Sequence, residues 1–203
     1  MAPRKSLVMG ASGFLGSHVT RQLVERGDDV RVLLRETSST RGIDDLDVER
    51  CYGDIFDDDA VRAAMADRDV VFYCVVDARA MLPDPAPLFR TNVDGLRQVL
   101  DIAVDAGLDK FVFVSTICTI AVSGDGSVVD EDTPFNWADK GGDYVRSRRA
   151  AEQLVLDAAT QRGLPAVAMC VSNTYGPRDW QPTPHGEIVA RTAAGRMRFY
   201  ASD

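Results

Sequence analysis

The chain has 203 residues, 45% of them hydrophobic and 27% charged, with a formal net charge of -8. That is the length of one domain and enough apolar residues for a sizeable core, so residues 1–203 read as one folded unit and disorder is excluded as its main state. The acidic balance sets the chain against the phosphate backbone of nucleic acid and against an anionic membrane surface, so neither is expected as a partner.

Arg4 and Lys5 precede an apolar stretch, the outline of a secretory leader. Glycines at 10, 13 and 16 and His18 interrupt it, and no small-residue cleavage site follows, so no leader is expected. Residues 6–10 predict a strand. Residues 14–26 predict a helix with Leu15, Val19 and Leu23 on one face, ended by Gly27. Residues 30–34 and 48–52 predict two further strands. Asp57, Asp58 and Asp59 open a short helix running to Ala66, where carboxylates suit the positive helix end. Residues 70–76 are apolar without alternation, the pattern of a strand covered on both faces. A long helix is expected over 88–106, carrying Val93, Leu96, Leu100 and Ala103. A strand over 111–116 follows, then a helix over 144–162 with Ala151, Leu154 and Ala158 on one face. A strand over 167–172 and a helix opening over 187–194 close the pattern. The proline-rich segments 82–87 and 177–184 read as loops beside the sheet. Strand and helix alternate throughout, which predicts an α/β fold of Rossmann type, a doubly wound parallel sheet.

Cysteines stand at 51, 74, 118 and 170, none spaced as a Cys-x-x-Cys pair. They read as reduced, buried thiols of a cytoplasmic protein. The only histidines are His18 and His185, too few for a His-rich zinc site or a Ser-His-Asp triad, and no metal site is expected. Asp57–Asp59 read as a solvated helix start rather than as ligands. Cys118 reads as an inert thiol, and His185, after two prolines, as a residue near where a substrate binds.

The first strand runs into Gly10-Ala-Ser12-Gly13-Phe14-Leu15-Gly16. Glycines at this spacing let the backbone turn tightly and approach a pyrophosphate, and the third lets the helix pack close to the strand. The helix start then offers free N–H groups to the phosphates. A strand before and an amphipathic helix after give the context of a dinucleotide fingerprint. No Gly-Lys-Ser/Thr follows, which excludes a P-loop. At the end of the second strand, where a carboxylate would hold a ribose 2′-OH, the chain reads Leu34-Arg35. A guanidinium there suits a 2′-phosphate, so NADP is favoured over NAD.

These features, with several later segments, resemble the extended short-chain dehydrogenases/reductases, the NAD-dependent epimerase/dehydratase group. Gly53-Asp54-Ile55 resembles the family's adenine-contacting segment, and Asn92-Val93-Asp94-Gly95 its Asn-Val-x-Gly motif. The strand ending at Val114-Ser115-Thr116 resembles the one that carries the active-site Ser/Thr. Tyr144-Val-Arg-Ser147-Arg148 with Ala151-Glu152 resembles Tyr-x-x-Ser-Lys-x-x-Ala-Glu. Val171 through Asn173-Thr-Tyr-Gly176-Pro177 resembles the Asn-x-Tyr-Gly-Pro segment. The resemblance implies that Thr116 holds the substrate oxygen, that Tyr144 is the general acid/base and that Arg148 stands in the catalytic lysine's place. It also implies that Asn92 supports the helix and a proton-relay water. Cofactor contacts would fall on Gly10, Ser12, Gly13, Phe14, Leu15 and Gly16. Others would come from Arg35, Asp54, Ile55, Cys74, Val75 and Val76. Asn92, Val114, Tyr144, Arg148, Val171 and Asn173 would complete them.

Three departures stand out. The lysine is Arg148, the fourth-strand end is Tyr73-Cys74-Val75-Val76 where the family commonly has His-x-Ala-Ala, and the family's C-terminal substrate lobe is largely missing. Lowering a tyrosine from about 10 to about 7 takes about 4 kcal/mol of preference for phenolate. A unit positive charge about 4 Å away supplies about that at an effective dielectric near 20. Arginine can therefore do the electrostatic half of the lysine's task, though it cannot release a proton. After Thr116 the chain reads Ile117-Cys-Thr-Ile120-Ala121, and Phe135, Trp137 and Trp180 lie on site loops. This favours an apolar carbonyl or secondary alcohol as small-molecule substrate, as in the dihydroflavonol reductase and 3-beta-hydroxysteroid dehydrogenase branch. A nucleotide-sugar epimerase or dehydratase is the alternative, as is a non-catalytic NADP(H)-binding sensor. The resemblance implies a homodimer through the helices over 88–106 and 144–162, with Val93, Val99, Ala150 and Val155 as its apolar surface.

Overall fold

Successive residues of a strand face opposite sides of a sheet, and here both sides are apolar. Leu7, Met9, Leu33, Val71, Tyr73, Phe111 and Phe113 enter one core, while Val8, Val30, Val32 and Leu34 enter the other. The computed structural model describes residues 3–80 and 82–197. Among them six parallel strands form one sheet: β1 (Lys5–Met9), β2 (Asp29–Leu34), β3 (Glu49–Tyr52), β4 (Val70–Tyr73), β5 (Lys110–Thr116) and β6 (Ala166–Val171). Their order is β3-β2-β1-β4-β5-β6. The expected doubly wound sheet is present, and the order reverses between β1 and β4.

The helices are α1 (Phe14–Glu25), α2 (Asp58–Met65), α3 (Ala86–Phe89), α4 (Leu96–Asp105), α5 (Gly142–Gln161) and α6 (Pro184–Ala193). Asp57 starts α2 by accepting the Ala60 N–H at 3.1 Å. The larger core is filled from α2, α4 and α5, by Val61 and Met65, by Leu96 and Leu100, and by Ala151 and Val155. No helix among the described residues is long and apolar enough to cross a membrane.

Four expectations need correction. The strand expected over 70–76 ends at Tyr73. Cys74 N–H makes the last bond to Met9 O at 2.9 Å. Beyond it β1 has turned away at Gly10, with φ +87, so Cys74, Val75 and Val76 leave the sheet as a loop. The buried stripe of α1 is Gly16, Ser17, Thr20 and Leu23, not Leu15, Val19 and Leu23. Small residues face the sheet because a Cβ on Gly16 would lie 2.1 Å from Gly10 O. Of the apolar surface reckoned for a two-fold interface, only Ala150 is not already buried within the chain. Val93 is 8% exposed and Val99 and Val155 are 0%, because the pair α4 and α5 covers the β4–β5 side of the sheet. The long helix is also interrupted, since a π-helical turn, Arg90–Gly95, separates α3 from α4.

Candidate active site

A cleft of about 660 Å³ opens at the carboxyl ends of β1, β2 and β4, where the strand order reverses. Such a reversal point is where doubly wound sheets bind ligands, because the connections leave in opposite directions and part there. Gly10 lies so close to the next strand's end that a Cβ would meet the Cys74 carbonyl carbon at 2.8 Å. Gly13 is the residue before α1, and no side chain caps that helix. Its first N–H groups and the positive end of its dipole are therefore available to an anion.

At the far end of the cleft, Arg35 is exposed just past β2. Its N–H donates to Ser38 Oγ at 3.2 Å and its carbonyl accepts the Ser38 N–H at 2.9 Å. Leu33, Gly53, Asp54, Ile55 and Phe56 complete that end. The Asp54 carboxylate accepts the Phe56 N–H at 3.1 Å, which holds the loop after β3 in place. Cys74, Val75 and Val76 line the other end, together with Asp77, Arg79 and Thr91. Burial pushes the Cys74 thiol up to about 12, so it is not a nucleophile at neutral pH.

On the same edge of the sheet, Thr116 ends β5 and Tyr144 stands in the first turn of α5. Tyr144 is half-buried, with Arg148, Cys118 and Thr116 as its polar neighbours. Burial lifts its hydroxyl above the ordinary phenol range, and the smaller opposing pull comes from Arg148 and Thr116. In the free protein the cation therefore does not win, contrary to the charge arithmetic, because the phenol has lost more to desolvation than the guanidinium returns. Arg148 is 2% exposed. Its Nη2 donates to the Val114 carbonyl, and the guanidinium lies 4.8 Å from the centre of the Phe113 ring. It is turned into the core and is not part of the cleft wall.

Asn92 and Glu152 hold this region together. Asn92, 1% exposed, accepts the Asp77 N–H at 2.8 Å and donates to Asp77 O at 3.0 Å and to Ser147 Oγ at 3.1 Å. It thereby ties the loop after β4 to α5, and both of its N–H groups are taken. Glu152 accepts from Ser115 Oγ at 2.5 Å, from Thr119 Oγ1 at 2.7 Å and from Arg149 Nη1 at 2.8 Å. This fixes the end of β5 against α5, and so fixes Thr116 relative to Tyr144.

Of the residues expected to contact a cofactor, Gly10, Ser12, Gly13, Arg35, Asp54, Ile55, Cys74, Val75 and Val76 line the cleft. Phe14, Leu15 and Gly16 form the start of α1 just below it. Asn92, Val114, Tyr144, Arg148, Val171 and Asn173 lie outside its wall. Val171 ends β6, and Asn173 is exposed in the loop that follows. Sequence reasoning passed over Ser38, Asp77, Arg79 and Gln181, which do line it. The hydroxyl run Thr37–Thr40, one residue beyond Arg35, was a usable signal for Ser38; Asp77 and Gln181 had none. His185 packs against Tyr175, with ring centres 5.8 Å apart. No cluster that could hold a metal ion occurs among the described residues.

The model of the NAD dependent epimerase/dehydratase family matches residues 6–198. The putative dihydroflavonol 4-reductase of Synechocystis sp. is 34% identical over 195 residues, which are 96% of this chain and 56% of that protein. The crystal structure of gox2253 superimposes with a TM-score of 0.90 at 36% identity, over 97% of this chain and 60% of that one. The Thermus thermophilus UDP-glucose 4-epimerase, solved in complex with NAD, gives 0.77 at 28%, over 93% and 61%. The chain thus spans less than two thirds of the length of each of these relatives. Matched over residues 6–198, nearly all of its length, the chain belongs to the NAD dependent epimerase/dehydratase family.

Proposed function

We propose that the protein is an oxidoreductase that passes hydride between a nicotinamide cofactor and a carbonyl or secondary alcohol on a small, apolar substrate. The observation that carries this reading is the uncapped start of α1 at the strand-order reversal, with the hydroxyls of Thr116 and Tyr144 on the same sheet edge. The cleft fits a dinucleotide: Gly10 lets the turn after β1 lie against the Cys74–Val75 backbone where any Cβ would clash, and uncapped N–H groups await a pyrophosphate. When bound, the nicotinamide would supply or accept the hydride. Gly10, Ser12 and Gly13 would seat the pyrophosphate, Asp54 and Ile55 the adenine end, and Cys74, Val75 and Val76 the nicotinamide ribose. Thr116 would orient the substrate oxygen, and Tyr144 would give it a proton or take one. Arg148 would weight Tyr144 towards phenolate from within the core.

Arg35 and Ser38, placed together at the end of β2, favour a 2′-phosphate and hence NADP over NAD. Exposed Val76, Ile117 and Val122 near these elements, and the name of the Synechocystis relative, support an apolar carbonyl substrate. Four free thiols support a reducing, cytoplasmic setting. A homodimer rests on the family resemblance alone, and light scattering at micromolar concentration tests it. Single-turnover oxidation of NADPH against apolar aldehydes and ketones tests the activity. Tyr144→Phe should abolish it while leaving NADPH affinity nearly unchanged. The inward turn of Arg148 favours one competing reading, a cofactor-binding sensor without turnover, and NADPH binding with no oxidation of any carbonyl would decide for it.

A further inference from the structure

Three buried side-chain atoms without a hydrogen-bond partner among the described residues belong to two neighbouring side chains: Tyr73 Oη, and Arg148 Nε and Nη1. Both side chains pack on Phe113. Tyr73 is its register partner across β4 and β5, with ring centres 6.1 Å apart, and the Arg148 guanidinium lies over the same ring. Tyr73 is 1% exposed and Arg148 2%. Buried polar groups are almost always partnered, and a buried cation left unanswered is costly. Glu152 does not answer it, because its carboxylate is already shared among Ser115, Thr119 and Arg149. The Val114 carbonyl takes only Nη2. What remains is three N–H donors, one on Nε and two on Nη1, and one phenol. One trapped water can accept from Nε and from Nη1 and donate to the phenol oxygen.

We propose that Tyr73 is a positioning residue: through one trapped water its hydroxyl takes up free N–H groups of Arg148 and fixes the guanidinium inside the core, one helical turn below Tyr144. The part that concerns acid/base chemistry rests on the function proposed above. Arg148 follows Tyr144 by four positions, so they share a face of α5. The ionisable groups around the pair are Tyr144 and Glu152 on α5, Cys118 after β5 and Asp54 after β3.

The test is a difference-absorbance titration of Tyr144, the Tyr144→Phe protein being the blank, with no cofactor present. Arg148→Met should lower the acid dissociation constant of Tyr144 at least about tenfold, the effect of losing a unit charge within about 12 Å at an effective dielectric near 20. Tyr73→Phe should lower it about threefold or more, and should have no further effect in the Arg148→Met protein. A Tyr73→Phe titration identical to that of the parent, or an equal shift in both backgrounds, would overturn the pairing. Should Tyr73→Phe fail to fold, electron density of the unmutated protein decides. A water within hydrogen-bond reach of Tyr73 Oη and of Arg148 Nε or Nη1 is expected, and density without one overturns the proposal. The titration needs neither cofactor nor turnover. Coupling without carbonyl reduction would therefore sink the oxidoreductase reading alone, and reduction without coupling would sink the pairing alone.

Discussion

Gly16 and Arg35 show how differently two residues of one cleft can be tested. A methyl group on Gly16 would press on the Gly10 carbonyl at 2.1 Å, backbone against backbone, with no flexible side chain to yield. Gly16→Ala should therefore cost about 1–3 kcal/mol, read as a lower urea midpoint with an unchanged slope. Arg35 is exposed, so Arg35→Ala should leave that midpoint within about 0.5 kcal/mol. It should instead narrow the preference for NADPH over NADH by about tenfold or more, the weight of one charge-assisted hydrogen bond. Equal affinities of the unmutated protein for the two, in a fluorescence titration, would sink the assignment of Arg35 to a 2′-phosphate. The glycines were legible in the sequence because their constraint is local, a turn and a close approach within seven residues. Arg148 was legible as a cation but not in its direction, since that depends on the Val114 carbonyl, 34 positions away in the chain. The balance at Tyr144 was misjudged for a related reason. Charge could be counted from the spacing of Tyr144 and Arg148, whereas desolvation depends on what packs around them.

The strand-helix alternation was legible element by element because each carries its own period. What the sequence concealed lies where one element is shaped by another. The helix expected over 88–106 contains a π-helical turn, Arg90–Gly95, placed where Asn92 reaches the backbone of Asp77 and the hydroxyl of Ser147. Gly95 in the same turn lies so close to Ile55 that a Cβ would stand 2.5 Å from its Cδ1. The turn thus lets one segment serve both the loop after β4 and the loop after β3. The strand expected over 70–76 stops at Tyr73 because β1 turns away at Gly10, and Asn92 then holds the departing loop at Asp77. Asn92→Ala would leave the Asp77 N–H and carbonyl without their partner. We expect a loss of about 1–3 kcal/mol in urea unfolding and faster hydrogen exchange confined to the loop after β4. Exchange unchanged at Asp77 would show that the clasp is not what holds that loop.

At the scale of the whole molecule, the pH range of the fold is set by groups buried unevenly on the two sides of neutrality. Asp28 is held below the ordinary carboxylate range: burial opposes this, but Arg26, the Arg4 N–H and Ser6 together outweigh it. A carboxylate lowered in this way lends stability above its ordinary value and withdraws it as pH falls through the folded one. On the alkaline side the signs reverse. Burial pushes the Cys74 thiol from its ordinary 9.0 up to about 12, and it also lifts the hydroxyls of Tyr73 and Tyr144. Between the ordinary and the raised value the unfolded chain has released a proton that the folded chain still holds, so stability falls as pH rises. The fold should therefore be most stable near neutrality and weaken steadily as pH climbs from 9.0 towards about 12. Cys74→Ala removes the thiol from this account while keeping a small side chain beside Gly10. Its urea midpoint, measured against the parent across that range, should fall less steeply. Cys74 also lines the cleft, so a cofactor seated over it should extend the parent's alkaline loss to higher pH without touching that of Cys74→Ala. Parallel curves for the two proteins, with and without NADPH, would show that the alkaline limit of the fold lies with the tyrosines instead.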